Sequence, residues 1–297
     1  MRALPPSHTR VVFLAIVALA GCGGDSAAPE ESVPSAAPGE AIYSLSIDPA
    51  DGTLMASTGP GFYRLPGAKG EPQLVKATMS SPKGNGPVKD LVIRFMGAGT
   101  LLASGHAAEP GLPTNIGLAR STNQGKTWEV VSGQGEADYH ELEIVGDRVF
   151  GLRTDSPGAI MFSADGGRTF DSREAPSAST PIDVAVNPED PSQWAVSNES
   201  GTFISTNEGR SWRQRNTTSS PRLAWPAPDA LYGVGLDGTV RISADGGRSW
   251  QDKGALGAGP KELIAGTGGA LYAVTTGGQI HRSQDGGATW SAVAKVS

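Results

Sequence analysis

The segment Ser121-Thr-Asn-Gln-Gly-Lys-Thr-Trp128 decides the fold, because four later segments repeat its pattern. The later copies are Ser163-Ala-Asp-Gly-Gly-Arg-Thr-Phe170, Ser205-Thr-Asn-Glu-Gly-Arg-Ser-Trp212, Ser243-Ala-Asp-Gly-Gly-Arg-Ser-Trp250 and Ser283-Gln-Asp-Gly-Gly-Ala-Thr-Trp290. Their leading serines are 42, 42, 38 and 40 residues apart. A period of this length is typical of one four-stranded blade in a radial array of sheets. The sequence therefore predicts an all-β propeller.

Each copy is predicted to form a turn between two short strands. In such a turn an aspartate or asparagine accepts hydrogen bonds from backbone amides, and a glycine takes a positive φ. The closing aromatic residue is placed to pack between neighbouring sheets. Because each copy has its own turn and its own aromatic, we interpret the repeated residues as structural: Ser121, Asn123, Gly125, Trp128, Ser163, Asp165, Gly167, Phe170, Ser205, Asn207, Gly209, Trp212, Ser243, Asp245, Gly247, Trp250, Ser283, Asp285, Gly287 and Trp290.

A sixth, degenerate repeat precedes these five. The segment Gly61-Phe-Tyr-Arg64 parallels Gly117-Leu-Ala-Arg120, although the repeated turn is lost. We predict six blades, each with four strands of its own, and the last strand at Ser291–Val296. Five or seven blades stay open. The predicted blades cover residues 41–79, 88–132, 140–176, 181–216, 222–254 and 261–297.

The N-terminus has the layout of a secretory signal peptide. Arg2 and Arg10 precede an apolar run from Val11 to Ala20. This run is too short for a membrane-spanning helix, which needs about 20 residues. The segment Leu19-Ala-Gly-Cys22 resembles the lipobox of bacterial lipoproteins, whose cysteine becomes the acylated first residue. We therefore predict a signal peptide over residues 1–21 and a lipid on Cys22. The chain would be held at the outer face of a bacterial membrane, at the cell surface or in the periplasm.

Charge and composition limit the partners of the mature chain. Loss of Arg2 and Arg10 with the signal changes the formal net charge from −6 to −8. This charge disfavours nucleic acid as a partner and attachment to anionic lipid by charge. Residues 23–40 are rich in Gly, Ser, Ala, Pro and Glu, so residues 22–40 are predicted to be a disordered tether. The propeller then covers residues 41–297.

Two long loops around the second repeat hold the candidate binding residues. They cover residues 106–115 and 136–140, and both are predicted on the rim opposite the repeated turns. Neutral imidazole with carboxylate suits a polar ligand or an ion such as Zn²⁺, whereas histidine and aspartate in tight loops also cap backbone groups. No cofactor is expected, and a metal at the two histidines is an open alternative. The candidate residues are His106, Glu109, Glu136, Asp138, Tyr139 and His140.

Three further residues are interpreted as structural. His281 falls on the predicted third strand of the last blade, beside a repeated turn. Trp194 and Trp225 lie outside the repeated turns and could stack on sugars, but core packing is the favoured interpretation.

The repeated segments resemble the Asp-box, or BNR repeat, of sialidases, sortilin-type propellers and photosystem assembly propellers. From about residue 41 to the C-terminus the chain is also similar to small bacterial propeller lipoproteins described as glycosyl hydrolase-like or sialidase-like. That similarity rests on Phe95-Met-Gly97, Ala103-Ser-Gly-His106, Leu112-Pro-Thr-Asn115 and Gly135-Glu-Ala-Asp-Tyr-His140. The resemblance implies the fold more firmly than any reaction.

Sialidase activity is disfavoured. Sialidases share three arginines that bind the substrate carboxylate and a tyrosine nucleophile assisted by a glutamate. They also share an aspartate that acts as the acid, and an Arg-Ile-Pro segment. The chain lacks the Arg-Ile-Pro segment, and Tyr139 with Glu136 or Glu141 would be its nucleophile pair. No spacing that matches the triad is found among arginines such as Arg94, Arg148, Arg153 and Arg222.

We therefore predict a monomeric, membrane-anchored propeller that binds a protein or glycan and does not catalyse a reaction. The alternative is a sialidase-like glycoside hydrolase acting on extracellular or cell-envelope glycans. Such an enzyme needs two carboxyl groups about 5 to 9.5 Å apart.

Overall fold

The computed structural model describes residues 42–59, 61–66, 72–177 and 179–295. The predicted signal peptide, Cys22 and the tether of residues 22–40 lie outside the described residues, and so does Val296. In the described part of the chain no helix is long and apolar enough to cross a membrane.

The described residues form an all-β propeller with five regular blades, each a sheet of four consecutive antiparallel strands. The first blade holds β1 (Ile42–Ile47), β2 (Leu54–Thr58), β3 (Gly61–Leu65) and β4 (Gln73–Val75). The second repeat, described below, contributes β5 (Thr78–Ser81), β6 (Gly84–Gly97), β7 (Thr100–Ala107), β8 (Leu118–Ser121) and β9 (Thr127–Ser132).

The remaining four blades follow in chain order. The next blade holds β10 (Tyr139–Val145), β11 (Arg148–Arg153), β12 (Ala159–Ser163) and β13 (Asp171–Glu174). It is followed by β14 (Asp183–Val186), β15 (Trp194–Asn198), β16 (Gly201–Ser205) and β17 (Arg213–Asn216). Then come β18 (Arg222–Ala227), β19 (Ala230–Val234), β20 (Thr239–Ser243) and β21 (Gln251–Ala255). The last blade holds β22 (Pro260–Ala265), a short 3-10 turn (Thr267–Gly269), β23 (Leu271–Thr275), β24 (Gln279–Ser283) and β25 (Ser291–Lys295).

The second repeat departs from the prediction of six four-stranded blades. Its strand β5 pairs antiparallel with β6 and parallel with β9, so β5–β9 form a closed five-stranded sheet. The six-blade count is therefore not supported, and five regular blades is the lower number that the sequence left open. The physical reason is the extra strand at residues 78–81, which forms hydrogen bonds with the otherwise unpaired edge of β9. Sequence periodicity does not reveal this pairing.

The first strands of the repeats surround a common axis. In order, β1, β6, β10, β14, β18 and β22 pack one against the next, and β22 packs against β1. The last blade consists only of β22–β25, so the ring closes without strand exchange, as predicted. The apolar core lies between neighbouring sheets; for example, Phe150 on β11 packs with Val184 on β14 in one buried cluster.

The repeated turns join the third and fourth strands and are held by side-chain oxygens. In the copy that starts at Ser163, the Gly167 amide donates to Ser163 Oγ at 2.9 Å. The Thr169 amide donates to Asp165 Oδ1 at 3.0 Å. These hydrogen bonds to the charged form lower the pKa of Asp165, with the Thr169 hydroxyl as the largest cause. The aspartates of these turns therefore act locally, which agrees with their structural interpretation.

The closing aromatic residues differ in how deeply they pack. Trp128 is fully buried and meets Phe62 of the first blade edge-on, with 6.2 Å between ring centroids. Four others are partly exposed: Phe170, Trp212, Trp250 and Trp290. The predicted packing between sheets is therefore complete only in the closed sheet of the second repeat.

Candidate functional site

The two predicted binding loops meet on one rim. His106 stands near the end of β7, whereas Leu101 at the start of β7 pairs with Ser121, the first residue of a repeated turn. The loop after His106 is therefore on the side opposite that turn. The Gly135 amide donates to the Asn115 carbonyl at 2.9 Å, which ties residues 106–115 to the segment that leads into β10.

The structure brings His106, Asp138 and His140 together at this rim. His140 Nε2 lies 2.9 Å from Asp138 Oδ2, and His106 Nε2 lies 3.7 Å from the same oxygen. One ligand atom from each of the three residues lies within 4.8 Å of the others. We call these three residues the rim cluster. They form a compact set of two imidazoles and one carboxylate.

Asp138 is the centre of the rim cluster. Thr154 Oγ1 donates to its Oδ2 at 3.3 Å, while Oδ1 is buried without a hydrogen-bond partner in the structure. The neighbouring cation, Arg153, is paired with Asp155 and also donates to the Glu136 carbonyl at 3.2 Å. The hydrogen bonds that Arg153 donates to Asp155 raise the pKa of Arg153. The charge of Arg153 is thus balanced mainly by Asp155, and Asp138 contributes less.

The other predicted binding residues do not join the rim cluster. Glu109 and Glu136 are exposed in their loops and are not among the three grouped ligand residues. The Tyr139 ring is buried, 5.2 Å from the ring of Phe170, and Arg153 lies over it. Burial raises the pKa of Tyr139 to about 12. Its phenol is therefore held in the neutral form, which is opposite to what a tyrosine nucleophile requires.

The three residues interpreted as structural lie where the sequence predicted. His281 is on β24, the third strand of its blade, and partial burial lowers its pKa. Trp194 is fully buried among Phe150 and Phe162, which confirms core packing. Trp225 is also buried, but it belongs to the wall of a cavity that the sequence did not predict.

A network of buried charges occupies the axis. Arg94 on β6 donates to Glu141 Oε1 at 2.6 Å and to Glu262 Oε1 at 2.7 Å. Arg222 lies 3.6 Å from Glu141 Oε2. Asp183 accepts hydrogen bonds from two backbone amides, one of them on β18 at 2.8 Å. These contacts join the first strands of four blades and of the second repeat.

Burial perturbs the ionisation of this network. Burial alone would lower the pKa of Arg94, but the carboxylates of Glu262 and then Glu141 hold it above its usual value. Burial raises the pKa of Glu143 to about 8, although Arg94 opposes the shift. It also raises the pKa of Asp183 well above its ordinary range, and the neighbouring Glu141 adds to the effect. Burial therefore favours the neutral form of both carboxyl groups, and Glu143 is mostly protonated at pH 7.

A cavity of about 440 Å³ lies at the axis beside this network. Glu143, Asp183 and Trp225 line it, together with turn residues such as Gly146. The β10–β11 turn lies on the same side as the repeated turns, because the Gly166 amide donates to the Asp147 carbonyl at 2.9 Å. The cavity is thus at the end of the axis opposite the rim cluster, and not on the rim where the sequence placed all binding residues.

The axial residues have a signal in the sequence that is separate from the repeated turns. Glu141 and Glu143 alternate with apolar residues on β10, as expected for a strand with one polar face. A charged residue also occurs in the first strands β14, β18 and β22, as Asp183, Arg222 and Glu262. Comparison of the first strands of all repeats would have found this pattern.

Comparisons with known proteins identify the fold alone. A scan of the sequence against protein-family models finds no match, and a search of the curated proteins finds none either. Among solved structures, an ancestral GH74 enzyme is similar, with a TM-score of 0.52 and 15% identity over 84% of this chain and 37% of that enzyme. YCF48 from Cyanidioschyzon merolae is similar with a TM-score of 0.50 and 15% identity over 87% of both chains. The chain thus shares its β-propeller fold with a glycoside hydrolase that is much longer and with a protein of its own size.

Proposed function

We propose that the chain is an exported lipoprotein whose propeller binds a polar, positively charged ligand in the axial cavity and catalyses no reaction on it. The observation that carries this proposal is the excess of carboxyl groups over cations in the axial network, of which Arg94, Glu143 and Asp183 line the cavity. Two arginines, Arg94 and Arg222, face four carboxyl groups. These groups are Glu141, Glu143, Asp183 and Glu262.

The excess of carboxyl groups favours a positively charged ligand. Glu141 and Glu262 are in contact with Arg94, whereas Glu143 has its pKa raised to about 8 by burial. A ligand ammonium or guanidinium group near Glu143 would stabilise the ionised carboxylate and release its proton. Trp225 adds an aromatic side chain to the wall. A lysine side chain of a protein partner or an amino sugar of a glycan has the required chemistry.

The cavity can be tested with matched probes. Calorimetric titration of the purified chain with a capped tripeptide containing one lysine, and with a glucosamine disaccharide, is compared with titration of their N-acetylated forms. We expect at least one charged probe to bind at least tenfold more tightly than its neutral form. Glu143→Gln should remove this preference. Glu129→Gln, which changes an exposed glutamate, is the control. Equal binding of charged and acetylated probes, or no binding of any probe, contradicts the proposal.

The anchor is tested separately. The lipobox-like segment before Cys22 supports acylation, and more than one buried acyl chain is enough for lasting attachment. Cys22→Ser should move the protein from the membrane pellet to the soluble fraction after expression in bacteria. Continued recovery of this variant in the pellet contradicts lipid anchoring.

A glycoside hydrolase is the second candidate, favoured by one observation. The pKa of about 8 at Glu143 is suitable for a general acid near neutral pH. Hydrolysis also needs an ionised carboxylate as base or nucleophile, but burial raises the pKa of Asp183 well above its ordinary range, and Glu141 and Glu262 are paired with Arg94. Binding is therefore the better supported function. Turnover of any fluorogenic glycoside in a panel, lost in Glu143→Gln, would establish the hydrolase instead.

A further inference from the structure

The rim cluster has the donor atoms of a transition-metal site. His106 Nε2, His140 Nε2 and Asp138 Oδ2 converge from two connected loops. Two imidazoles and one carboxylate are a donor set that zinc and other first-row divalent metals accept. The cluster lies at the end of the axis opposite the cavity, so an inference from it does not depend on the proposed function.

The distances fit a single metal ion. Bonds of about 2.0 to 2.2 Å at tetrahedral angles place neighbouring donor atoms about 3.3 Å apart. The two distances from Asp138 Oδ2 are 2.9 Å to His140 Nε2 and 3.7 Å to His106 Nε2. All three donor atoms lie within 4.8 Å of one another. Small side-chain rotations are thus enough to bring the donors to coordination distance.

The surroundings of Asp138 point to a missing electrostatic partner. Its Oδ1 is buried and accepts no hydrogen bond, a costly state for a carboxylate oxygen. The nearby guanidinium of Arg153 donates its hydrogen bonds to Asp155 and to the Glu136 carbonyl, so its charge acts on Asp138 only from a distance. Thr154 orients the carboxylate through a hydrogen bond to Oδ2, as outer residues do around metal ligands. A bound cation would balance the charge of Asp138.

The backbone holds the three ligands in place. His106 is in a β-bridge with Asn115, and the Asn115 carbonyl accepts from the Gly135 amide three residues before Asp138. The Tyr139 amide donates to Ser104 Oγ at 3.1 Å, which fixes β10 against β7. The His140 side chain is 56% exposed, so the side of the cluster away from the protein faces solvent. A fourth coordination position would be open to water or to an external ligand atom.

We propose that His106, Asp138 and His140 bind one divalent transition-metal ion, with Zn²⁺ as the first candidate, and leave one coordination position open. The bound ion would be a fixed positive charge on the rim, and it could accept an oxygen or nitrogen ligand atom from another molecule. The proposal assigns no reaction to this ion.

The test uses the metal alone as the probe. The full chain is prepared with Cys22→Ser, to remove the thiol as a competing ligand, treated with a chelator and titrated calorimetrically with ZnCl₂. We expect one ion per chain. Asp138→Asn, which preserves the size of the side chain, and His140→Ala should each weaken binding by more than about 100-fold, above the 10-fold to 100-fold loss typical of residues that only orient a ligand.

A matched histidine variant and a spectroscopic measurement complete the test. His281→Ala removes the remaining histidine of the described residues, far from the cluster on β24, and should leave affinity unchanged. Titration with Co²⁺ should give the intense visible absorption of a four-coordinate site, and this band should be lost in Asp138→Asn. Absence of stoichiometric binding, or equal loss in His281→Ala and His140→Ala, overturns the proposal. Circular dichroism of each variant identifies any that fails to fold. If His140→Ala fails to fold, the affinity of Asp138→Asn decides the test.

Discussion

Arg94 in the second repeat and Glu262 in the last blade form an ion pair across the axis, with 2.7 Å between Arg94 Nη2 and Glu262 Oε1. The two residues are 168 positions apart in sequence. The same guanidinium contacts Glu141 at 2.6 Å. One arginine therefore connects the strands β6, β10 and β22, and the centre of this propeller is held by charge as well as by apolar packing.

Removal of this arginine should destabilise the whole ring. Arg94→Met leaves Glu141 and Glu262 buried without their cation, and loss of one partner from a buried pair costs about 3 to 5 kcal/mol. Urea denaturation followed by circular dichroism measures the free energy of unfolding. Arg120→Met, which changes an exposed arginine, is the control and should stay within about 0.5 kcal/mol of the original chain. A loss below about 1 kcal/mol for Arg94→Met would mean that the network does not stabilise the ring.

Stability should fall as pH rises from about 4.5 to 8. The pKa of Glu143 is raised from 4.5 to about 8 by burial, so the folded chain holds a proton that the unfolded chain has released. Folding then takes up a proton over this window, and the free energy of unfolding decreases by up to about 1.4 kcal/mol per pH unit. Above pH 8 the loss is complete. Glu143→Gln should make this part of the profile less steep but not flat, because the raised pKa of Glu262, about 7, acts in the same direction. Glu129→Gln should leave the slope unchanged, and an unchanged slope in Glu143→Gln rejects the assignment.

Alanine substitutions at two glycines should separate the cost of a left-handed backbone conformation from the cost of overpacking. Gly167 has φ +85°, and a Cβ there would come within 2.2 Å of Leu118 Cδ2, which is buried in the core. Gly146 has φ +60° with nothing within 4 Å of a Cβ. Gly146→Ala should therefore cost only the left-handed conformation, about 1 to 2 kcal/mol. Gly167→Ala should cost a further 1 to 3 kcal/mol, roughly, for overpacking. Thermal denaturation compares the two variants. Equal decreases in melting temperature would mean that the Leu118 side chain can move away from the new methyl group at little cost.

The repeated aromatic residues should differ in their contribution. Trp128 is fully buried against Phe62, so Trp128→Ala should cost about 3 to 5 kcal/mol. Trp250 is partly exposed and its Nε1 donates to the Gly247 carbonyl at 3.2 Å. Trp250→Ala should therefore cost clearly less in the same denaturation experiment. A larger loss for Trp250 than for Trp128 would contradict the packing described here.

The repeated turns and the rim cluster could be predicted because their signals are local. Each turn is an eight-residue pattern, and His106, Asp138 and His140 stand out as histidines with a carboxylate in two adjoining loops. The closed sheet could not be predicted, because the parallel pairing of Thr78 with Thr127 joins residues from different repeats. Parallel pairing has no turn signal of its own.

The axial network could not be predicted for a different reason. The first strands other than β1 each contribute only one or two charged residues to it, and each residue considered alone is compatible with an exposed strand face. Their convergence depends on the ring, which places Arg94 beside Glu141 and Glu262 although long stretches of sequence separate them. The alternation along the first strands indicates a polar face, but the ring brings Glu143 and Asp183 to the wall of one cavity.

The proposed function requires that a cation bound in the axial cavity displaces the proton of Glu143. The most direct measurement is calorimetric titration of the capped lysine tripeptide at pH 7 in two buffers of different ionisation enthalpy, which counts the protons released on binding. We expect proton release on binding to the original chain, and a smaller release with weaker binding in Glu143→Gln. Binding without proton release, with Glu143→Gln unchanged, would contradict the claim.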